Sequence, residues 1–595
     1  MGRFLITTAL EEAWRDDVPV LFLGEWCLSY SRKDRWSKID AEILPYHWDD
    51  RAKLYADYKN LLAFHERLLA NLAGQLNEIH GVDHSLRYWR ILIGPWLGDF
   101  IHILFDRWTS IHQAIAQHVL SGTLILTGKE ETLIPNDMAD FSRLLIRDEW
   151  NHHLYAAILQ RFTTVPCSKR ARQDIASWTP HAVPNTSWKQ LVKRTMADWY
   201  VRGARLLASD QDAFLLATYL PFRDEMRMHR RLGQLPQPWR STSPAKASVD
   251  EHRRQWVVAG NSLSPFETCA RALIPSQIPA IYLEGYSQLV MQTTVLPWPK
   301  KPKLIWTSNA LTSDDVFKAW AADKIEKGSP LVVGQHGGHY GIGRWSFLED
   351  HEIAISDRYL SWGWAEPGHP KIKPVGQLKA KRPLGIRHAE KPVALLVTSN
   401  HPRQSYRNHS SMISRQWSDY FKDQRIFVAQ LPAEIKEALI VRLYCHDYGR
   451  DQAAQWHDHF PALRLDAGHS NIIRLIAQCR LYISTYNSTT FLESFTMNIP
   501  TIIFWNPNHW ELRDSAIPYF EELKRVGIFH ESPASAARHV TDIWDHVDEW
   551  WSSASVQRTL KQFKARYCDL PNNLLERIEH ALREVMPISE KTDSC

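Results

Sequence analysis

The stretch Arg480–Trp505, RLYISTYNSTTFLESFTMNIPTIIFW, predicts a strand, a turn, a helix and a second strand. Its two apolar runs, "RLYIST" and "PTIIFW", are typical of buried parallel strands, and "TTFLESFTMN" between them indicates a helix. Strands that alternate with helices form βαβ units and a parallel sheet. The stretch therefore predicts an α/β fold, with its polar turn at the sheet edge where open α/β sheets bind ligands.

Small polar side chains crowd that turn, and they are Ser484, Thr485, Asn487, Ser488, Thr489 and Thr490. A helix N-terminus offers free N–H groups and a positive dipole end, which suit a phosphate. Glu493, one turn into the helix, is placed to accept from ribose hydroxyls. The alternative is that Thr490 and Glu493 form a capping box that only fixes the helix start. Spacing leaves both interpretations open, and they are compatible.

The same alternation appears at both ends of the chain. The runs "RFLITTAL" (Arg3–Leu10) and "VPVLFLGEW" (Val18–Trp26) predict strands, whereas Arg51–Leu232 has mostly helical spacing. Strand character returns after residue 300, and the basic stretch Gly376–Pro392 is typical of a linker. A wholly helical pattern follows residue 535.

This pattern predicts two Rossmann-type domains that face each other across a cleft. Residues 1–380 would form an acceptor-side α/β domain with a helical insertion at about 51–300. Residues 381–545 would form a nucleotide-binding α/β domain, and residues 546–595 would be C-terminal helices that pack back on the N-terminal domain.

Composition indicates an ordinary globular protein, with 44% hydrophobic and 23% charged residues. The net charge of +5 is small for 595 residues, so it does not indicate a nucleic-acid partner, but it is compatible with an anionic ligand or with peripheral contact with the inner membrane. The apolar run Ile91–Phe105 is interrupted by Asp99, which favours a buried helix over a membrane span.

Seven scattered cysteines form no C-x-x-C pair, which favours a reducing cytoplasm over a disulfide framework or a zinc site. An early acidic pair after the first strand argues against a signal peptide. The sequence contains no H-E-x-x-H, G-x-S-x-G or P-loop motif. A metal site, a serine hydrolase and a kinase are therefore poorly supported.

Two loops in the C-terminal half supply candidate phosphate ligands. His446 follows the predicted strand in "ALIVRLYCHD", and a histidine there can donate to a phosphate oxygen. His401 and Arg403 follow the strand "VALLV" and offer further donors. Each of the three could equally be a solvated loop residue.

The N-terminal half supplies candidate catalytic bases and acceptor contacts. His336 lies in the glycine-rich stretch Val332–Trp345, and glycines let backbone approach a ligand closely. Glu25 follows the second strand and would face the cleft as a general base. The segment from Asp83 through His84 to Arg87 would form an acceptor site or simply start a helix with Asp83 as its N-cap.

These motifs resemble a family of transferases from bacterial gene clusters for O-antigen and surface polysaccharide. The resemblance is carried by TTALEEAW (7–14), PVLFLGEWC (19–27), EIHGVDHSLRYWRILIGPWL (78–97), GQHGGHYGIGRWSFLEDHEIAISDRYLSWGW (334–364), RLYCHDYG (442–449) and YNSTTFLESFTMNIPTIIFWN (486–506). It runs along most of the chain and is weakest in Val165–Val249 and beyond Glu531.

A more distant likeness concerns the proposed donor site. His446 followed by Ser488–Thr490 and Glu493 is similar to the donor half of GT-B transferases that use CMP-sugars, the sialyl-, polysialyl- and Kdo-transferases. "QHGG" is similar to the His-Gly element of CDP-glycerol glycerophosphotransferases. One departure is that the usual His-Pro is His446-Asp447 here, while His401-Pro402 lies in another loop.

The resemblance implies a cytoplasmic glycosyltransferase that needs no metal or other cofactor and takes a CMP-activated nonulosonic or Kdo-type sugar to a saccharide or lipid-linked saccharide acceptor. His446 and Ser488–Thr490 would stabilise the leaving phosphate, and Glu25 or His336 would be the base. The rivals are a CDP-alcohol-dependent polyol-phosphate transferase and a non-catalytic nucleotide-sugar-binding or assembly subunit.

Overall fold

Three parallel β-sheets organise the chain in the computed structural model, which describes residues 2–128, 130–172, 208–379, 393–404 and 408–587. The sheets define the first, second and third units in chain order. In each unit the strands are short and largely apolar. Neighbouring strands in each sheet run parallel, so the chain must cross over between them. Parallel sheets need helices on their faces, which explains why these strands lack the alternation of half-exposed strands.

The first sheet has five strands in the spatial order Ala41–Ile43, Val20–Phe22, Arg3–Ile6, Leu120–Thr127, Cys167–Ala171. Its α-helices are Lys33–Trp36, Arg51–His80, Leu86–Gln117, Met138–Leu144 and Asp148–Phe162. Residues between the two long helices determine where the first ends and the second begins. Gly81 adopts a left-handed φ of 64° after the first of them, and the Ser85 side chain caps the second by accepting from the Tyr88 N–H.

The second sheet has five strands in the order Ile372–Pro374, Arg358–Ser361, Leu331–Gly334, Ile305–Thr307, Phe214–Leu216. Its helices are Phe222–Arg231, Pro265–Gln277, Ala280–Leu283, Tyr286–Thr294, Ala310–Ser313, Asp315–Glu326 and Phe347–Ile355. The helix Leu86–Gln117 packs against Asp315–Glu326 and Phe347–Ile355. This packing joins the first two units in one hydrophobic core.

The third sheet has six strands in the order Arg464–Asp466, Leu439–Arg442, Ala394–Val397, Leu481–Ser484, Thr501–Phe504, Phe529–His530. The helices of this part are Gln416–Gln430, Ala433–Ala438, Gln452–His459, Ile472–Gln478, Thr489–Thr496, Ile517–Arg525, Pro533–Ile543, Val547–Ser552, Ala554–Tyr567 and Leu574–Arg583. The opening stretch thus forms the predicted strand, turn, helix and strand.

The α/β class with parallel sheets and a helical tail is confirmed, but the N-terminal half contains two sheets where one was expected. The segment predicted as a helical insertion contains the strands Leu120–Thr127, Cys167–Ala171 and Phe214–Leu216. Short apolar runs beside long helices do not reveal their type by periodicity alone. The domain boundaries themselves remain a prediction, and most of the expected linker, 380–392, lies outside the described residues.

The C-terminal helix and the apolar run Ile91–Phe105 both pack against the rest of the protein. The helix Leu574–Arg583 contacts the second unit through Glu579, which pairs with Arg231 at 2.8 Å. The run Ile91–Phe105 lies inside the helix Leu86–Gln117 and is mostly buried in protein. Within the described ranges, every helix is too short or too polar to span a bilayer.

The carboxyl ends of all three sheets meet. Gly338, which follows a strand of the second sheet, contacts Thr489 of the third. Arg403, which follows a third-sheet strand, bonds to the Trp26 carbonyl of the first unit and pairs with Asp148. Ligands of open α/β sheets bind at this edge, so the junction contains the candidate site.

Candidate functional site

The turn Ser488–Thr490, here called the hydroxyl turn, joins a central strand of the third sheet to the helix Thr489–Thr496. Ser488 is the N-cap and accepts from the Thr490 N–H at 3.5 Å. Thr490 Oγ1 lies 2.7 Å from the Tyr482 hydroxyl, which donates to it. The capping box with Thr490 as cap is therefore wrong, because the N-cap is Ser488, two residues earlier, and Glu493 falls outside the N3 position.

Asn487 adds an unusual feature to the turn. Its side chain is only 6% exposed, and neither atom of its amide has a hydrogen-bond partner among the described residues. Leaving a buried polar group unsatisfied costs about 1–3 kcal/mol. A polar ligand at the hydroxyl turn would recover this cost, so the amide fits a binding role better than a structural one.

A cavity of about 370 Å³ opens beside the hydroxyl turn, a size within the usual range of small-molecule sites. Thr489, Thr490 and Glu493 line it. The rest of its wall combines two amides, two hydroxyls, one cation and apolar side chains, namely Gln377, Lys379, Ser470, Asn471, Ile472, Ile473, Thr496 and Met497. This mixture suits a ligand with a flat apolar part and an anionic part.

The glycine-rich loop of the second unit closes one side of the turn. The Gly338 N–H donates to Thr489 Oγ1 at 3.1 Å. A Cβ at position 338 would lie 2.6 Å from the Thr489 Cα and 2.7 Å from the Ser488 carbonyl carbon and oxygen. Only glycine permits this approach, which gives a physical reason for glycine in "QHGG".

Gln335 fixes the start of the loop. Its Oε1 accepts from the Trp364 indole N–H at 2.8 Å and from the Trp362 N–H at 2.9 Å. Its Nε2 donates to the Gly337 carbonyl at 2.9 Å. The side chain is buried, and its bonds hold the loop at the carboxyl end of the strand Leu331–Gly334. The next residue, His336, is therefore held near the hydroxyl turn.

His336 is set up to be neutral. Burial lowers the pKa of its imidazole to about 4, so near pH 7 the ring carries no charge and can accept a proton. Its Nε2 lies 3.4 Å from the Tyr340 hydroxyl, and its Nδ1 lies 3.4 Å from Glu352 Oε1. The side chain keeps 18% of its surface exposed, so it remains accessible to a reactant.

Glu25, the other predicted base, is engaged at the junction of the first and third units. Its Oε2 accepts from the Ser418 hydroxyl at 3.0 Å, and its Oε1 lies 3.5 Å from Arg415 Nη1. These contacts join the first and third units at this point. The structure therefore places the two candidate bases in different environments.

The predicted cationic donors are also used in packing. His401 is buried, with its Nδ1 2.8 Å from the Met412 carbonyl oxygen. Arg403 pairs with Asp148 and is 12% exposed. Both residues follow the strand Ala394–Val397, but their side chains point into contacts within the protein. Arg403 joins the third unit to the first, His401 bonds within the third unit, and neither lines the cavity.

His446 is exposed and follows the strand Leu439–Arg442, which ends three residues before the predicted end at Cys445. The strand Ala394–Val397 lies between its strand and the strand that leads to the hydroxyl turn. Among the described residues, no hydrogen bond or ion pair joins the His446 side chain to that turn. Its backbone carbonyl accepts from Asn400 Nδ2 at 3.0 Å.

The predicted acceptor-side residues lie near the amino ends of the strands of the second sheet, away from the carboxyl ends that form the candidate site. His84 Nδ1 is 2.6 Å from Glu326 Oε2, and Arg87 donates to the Ile355 carbonyl at 2.7 Å. Asp83 is exposed and precedes the helix, whose N-cap is Ser85 instead. These contacts favour the helix-start interpretation of this segment.

Sequence reasoning missed two buried carboxylates, Glu349 and Glu352, on the helix Phe347–Ile355 beneath the glycine-rich loop. Burial raises the pKa of Glu349 to about 7, although Arg513 pairs with it at 2.7 Å. Burial also raises the pKa of Glu352 well above its usual range. A signal was available, because acids three residues apart in the apolar segment "FLEDHEIAI" share one helix face.

The chain was compared with protein families and with curated proteins. The model of one family, described as the LIC12162 family transferase, matches residues 3–582. Among curated proteins, none matches the chain significantly.

Three solved structures are distantly similar. A variant of the wall teichoic acid polymerase TagF soaked with CDPG is 10% identical, with 50% of this chain and 83% of that chain covered and a TM-score of 0.30. Anabaena HepE in complex with UDP-glucose is 10% identical over 63% and 98%, with a TM-score of 0.33. An O-GlcNAc transferase variant from Thermobaculum terrenum is 9% identical over 89% and 98%, with a TM-score of 0.34. Likenesses at these scores carry no argument about activity.

Proposed function

This chain belongs to the LIC12162 family of transferases, and we propose that it is a GT-B-like glycosyltransferase that moves a sugar from a nucleotide donor to a growing surface polysaccharide or O-antigen. The observation that carries the proposal is the bond from the Gly338 N–H to Thr489 Oγ1. It brings the loop of His336, a neutral base, to the edge of the cavity at the hydroxyl turn.

The donor nucleotide fits the cavity of about 370 Å³. The apolar side chains of Ile472 and Ile473 suit the face of a base, and Glu493 suits the ribose hydroxyls. The phosphate would lie against the hydroxyl turn, where the helix N-terminus and the hydroxyls stabilise negative charge. Lys379 supplies a cation at the wall. We favour a single-phosphate donor, a CMP-sugar, because the cavity is small and has one lysine among its described wall residues.

The proposed chemistry uses residues of two units. The acceptor hydroxyl oxygen attacks the anomeric carbon, and the bond from that carbon to the phosphate oxygen breaks. His336 Nε2 takes the acceptor proton, which is general base catalysis. The hydroxyl turn stabilises the charge that develops on the leaving CMP. This chemistry routes no step through a metal ion.

A donor panel tests the proposal. The protein is incubated with acceptor polysaccharide and with a CMP-nonulosonic or CMP-Kdo sugar, a UDP-sugar or CDP-glycerol, and both released nucleotide and product mass are measured. We expect CMP release and a product heavier by one sugar. Product heavier by a polyol phosphate would favour the CDP-alcohol rival, in which the acceptor attacks phosphorus. Binding without product from any donor would favour a non-catalytic nucleotide-sugar-binding or assembly subunit.

A second surface supports peripheral contact with the inner membrane. A groove of about 1400 Å³, here called the cationic groove, lies at the amino ends of the second sheet. The only acid on its described wall is Asp323, whereas its cations are Lys300, Lys301, Lys303, Lys324, Lys327 and Arg583. Met291 and Val295, 63% and 76% exposed, lie beside it on or just after the helix Tyr286–Thr294. Exposed apolar tips among cations suit an anionic lipid surface.

The K300E/K301E protein is expected to float less with anionic vesicles than the unchanged protein does. Each cation near such a surface contributes about 1 kcal/mol, so reversing two charges should lower binding by at least 10-fold at low salt. K38E/K561E, which changes two exposed lysines elsewhere, is the matched control. Equal flotation of the two double variants with anionic vesicles would contradict the assignment of the cationic groove to the membrane. So would an unchanged protein that binds neutral vesicles as well as anionic ones.

A further inference from the structure

We propose that Glu352 is a positioning residue for His336: its carboxylate holds the Nδ1 proton so that Nε2 faces the acceptor hydroxyl. The inference rests on the proposed function, since it assigns a partner to the proposed base. It concerns a residue outside the cavity, on the helix Phe347–Ile355. Glu352 would act through His336 and would not touch either substrate.

The geometry singles out this pair. Glu352 Oε1 lies 3.4 Å from His336 Nδ1. Glu352 is 2% exposed, and its Oε2 has no hydrogen-bond partner among the described residues. His336 Nδ1 is equally without a well-formed hydrogen bond in that part of the chain. Glu352 Oε1 and His336 Nδ1 need only a small movement from 3.4 Å to form a hydrogen bond, and catalytic contacts commonly tighten when substrate binds.

The contacts around Glu352 do not account for it as a structural ion. Its neighbour Glu349 has the structural partners, because it pairs with Arg513 and accepts from the Gly341 N–H at 3.1 Å. Glu352 is bonded by the Tyr340 hydroxyl, and the negative charge of Glu349 further disfavours its ionised form. A buried carboxyl without its own cation costs stability. Such a cost at a functional site is understandable if the group acts in the reaction.

Proton positions follow from this arrangement. In the reactive form, Glu352 is ionised and accepts from the His336 Nδ1–H, so the lone pair is on Nε2, which lies 3.4 Å from the Tyr340 hydroxyl. When Nε2 takes the acceptor proton, an imidazolium forms beside the carboxylate, which stabilises it. With one more proton the pair is neutral, the carboxylic acid donates to Nδ1, and Nε2 carries the other hydrogen and cannot act as a base. The two groups therefore titrate as one unit.

The pair should set the acid side of the pH profile. The charged and titratable groups that face Glu352 are Glu349, Tyr340 and Tyr359, and those near His336 include Tyr219. Because burial and Glu349 raise the pKa of Glu352, the pair loses its shared proton at a higher pH than His336 alone, whose pKa is about 4. Activity should therefore rise with pH through the titration of the pair.

The Glu352→Gln protein tests the inference. We expect kcat to fall by about 10- to 1000-fold, nucleotide affinity to stay within twofold, and the rising limb of kcat against pH to move to lower pH. The same change made in the His336→Ala protein should have no further effect, because the residues act as one unit. Unchanged kcat and an unchanged rising limb, or a full additional loss in the His336→Ala protein, would overturn the proposal.

Two controls keep the outcome clear. Glu349→Gln removes a buried carboxyl from the same helix and should reduce thermal stability without uncoupling His336. If Glu352→Gln fails to fold, Glu352→Asp takes its place, with kcat expected to fall about 10-fold and the rising limb retained; unchanged kcat would then overturn the proposal. Failure of the proposed function is distinct, because then the unchanged protein transfers no sugar from any donor, and the role of Glu352 falls with it.

Discussion

The His336→Ala protein is expected to lose about 10²- to 10⁴-fold in kcat, the usual range for removing a general base. The physical reason is that a neutral imidazole, with a pKa lowered to about 4 by burial, sits on a rigid loop against the hydroxyl turn. Donor affinity should change little, since the ring lies outside the described wall of the donor cavity. Steady-state rates and calorimetric titration with CMP measure the two quantities separately.

Glu25→Ala is the matched comparison, because both residues were predicted as the base from the sequence. Glu25 is bonded to Ser418 and Arg415, so its loss should loosen the junction of the first and third units and lower the melting temperature. Its effect on kcat should be less than 10-fold. The reverse ranking, with Glu25→Ala inactive but folded and His336→Ala active, would assign the base to Glu25.

The Gly338→Ala protein should lose most of its activity through geometry alone. The added Cβ would lie 2.6 Å from the Thr489 Cα and 2.7 Å from Ser488 backbone atoms, and backbone cannot move aside as a flexible side chain can. Overpacking of this kind costs about 1–3 kcal/mol. Separation of the loop from the turn by about 1 Å can cost about 10²-fold in rate. We therefore expect a large loss of kcat with a modest loss of stability.

Gly343→Ala, in the same loop, provides the control. A Cβ there would meet the His339 carbonyl at 3.4 Å and the Ser410 Cβ at 3.7 Å, which are ordinary contacts. This protein should keep its activity within a few-fold. Equal activities of the two alanine variants would show that the contact between the glycine-rich loop and the hydroxyl turn is unimportant.

Some elements of this structure can be predicted from the sequence, and others cannot. The strand, turn and helix around the hydroxyl turn follow directly from apolar runs and a polar junction, because such local patterns determine local structure. The glycines of "QHGG" predicted a close backbone approach to a ligand, which stays a prediction, whereas Gly338 closely approaches the backbone of Ser488 and Thr489. What the sequence could not indicate is the partner, since Thr489 lies 151 residues further along the chain.

The remaining differences have physical causes as well. The predicted phosphate-binding role of Arg403 stays a prediction; Arg403 pairs with Asp148 of another unit, and periodicity carries no information about such long-range pairs. The strands at Leu120–Thr127 and Phe214–Leu216 were hidden because short apolar runs fit a helix or a strand. The roles of His446 and of the acceptor-side residues stay predictions, and none of these residues is on the described wall of the cavity.

The most direct test of the central claim is a crystal structure of the protein soaked with CMP. The proposal predicts cytidine against Ile472 and Ile473, its ribose near Glu493, and its phosphate within hydrogen-bond distance of the hydroxyl turn and the Asn487 amide. Nucleotide density elsewhere, for example beside His446 with the cavity at Thr489 and Thr490 empty, would contradict the assignment of the donor site.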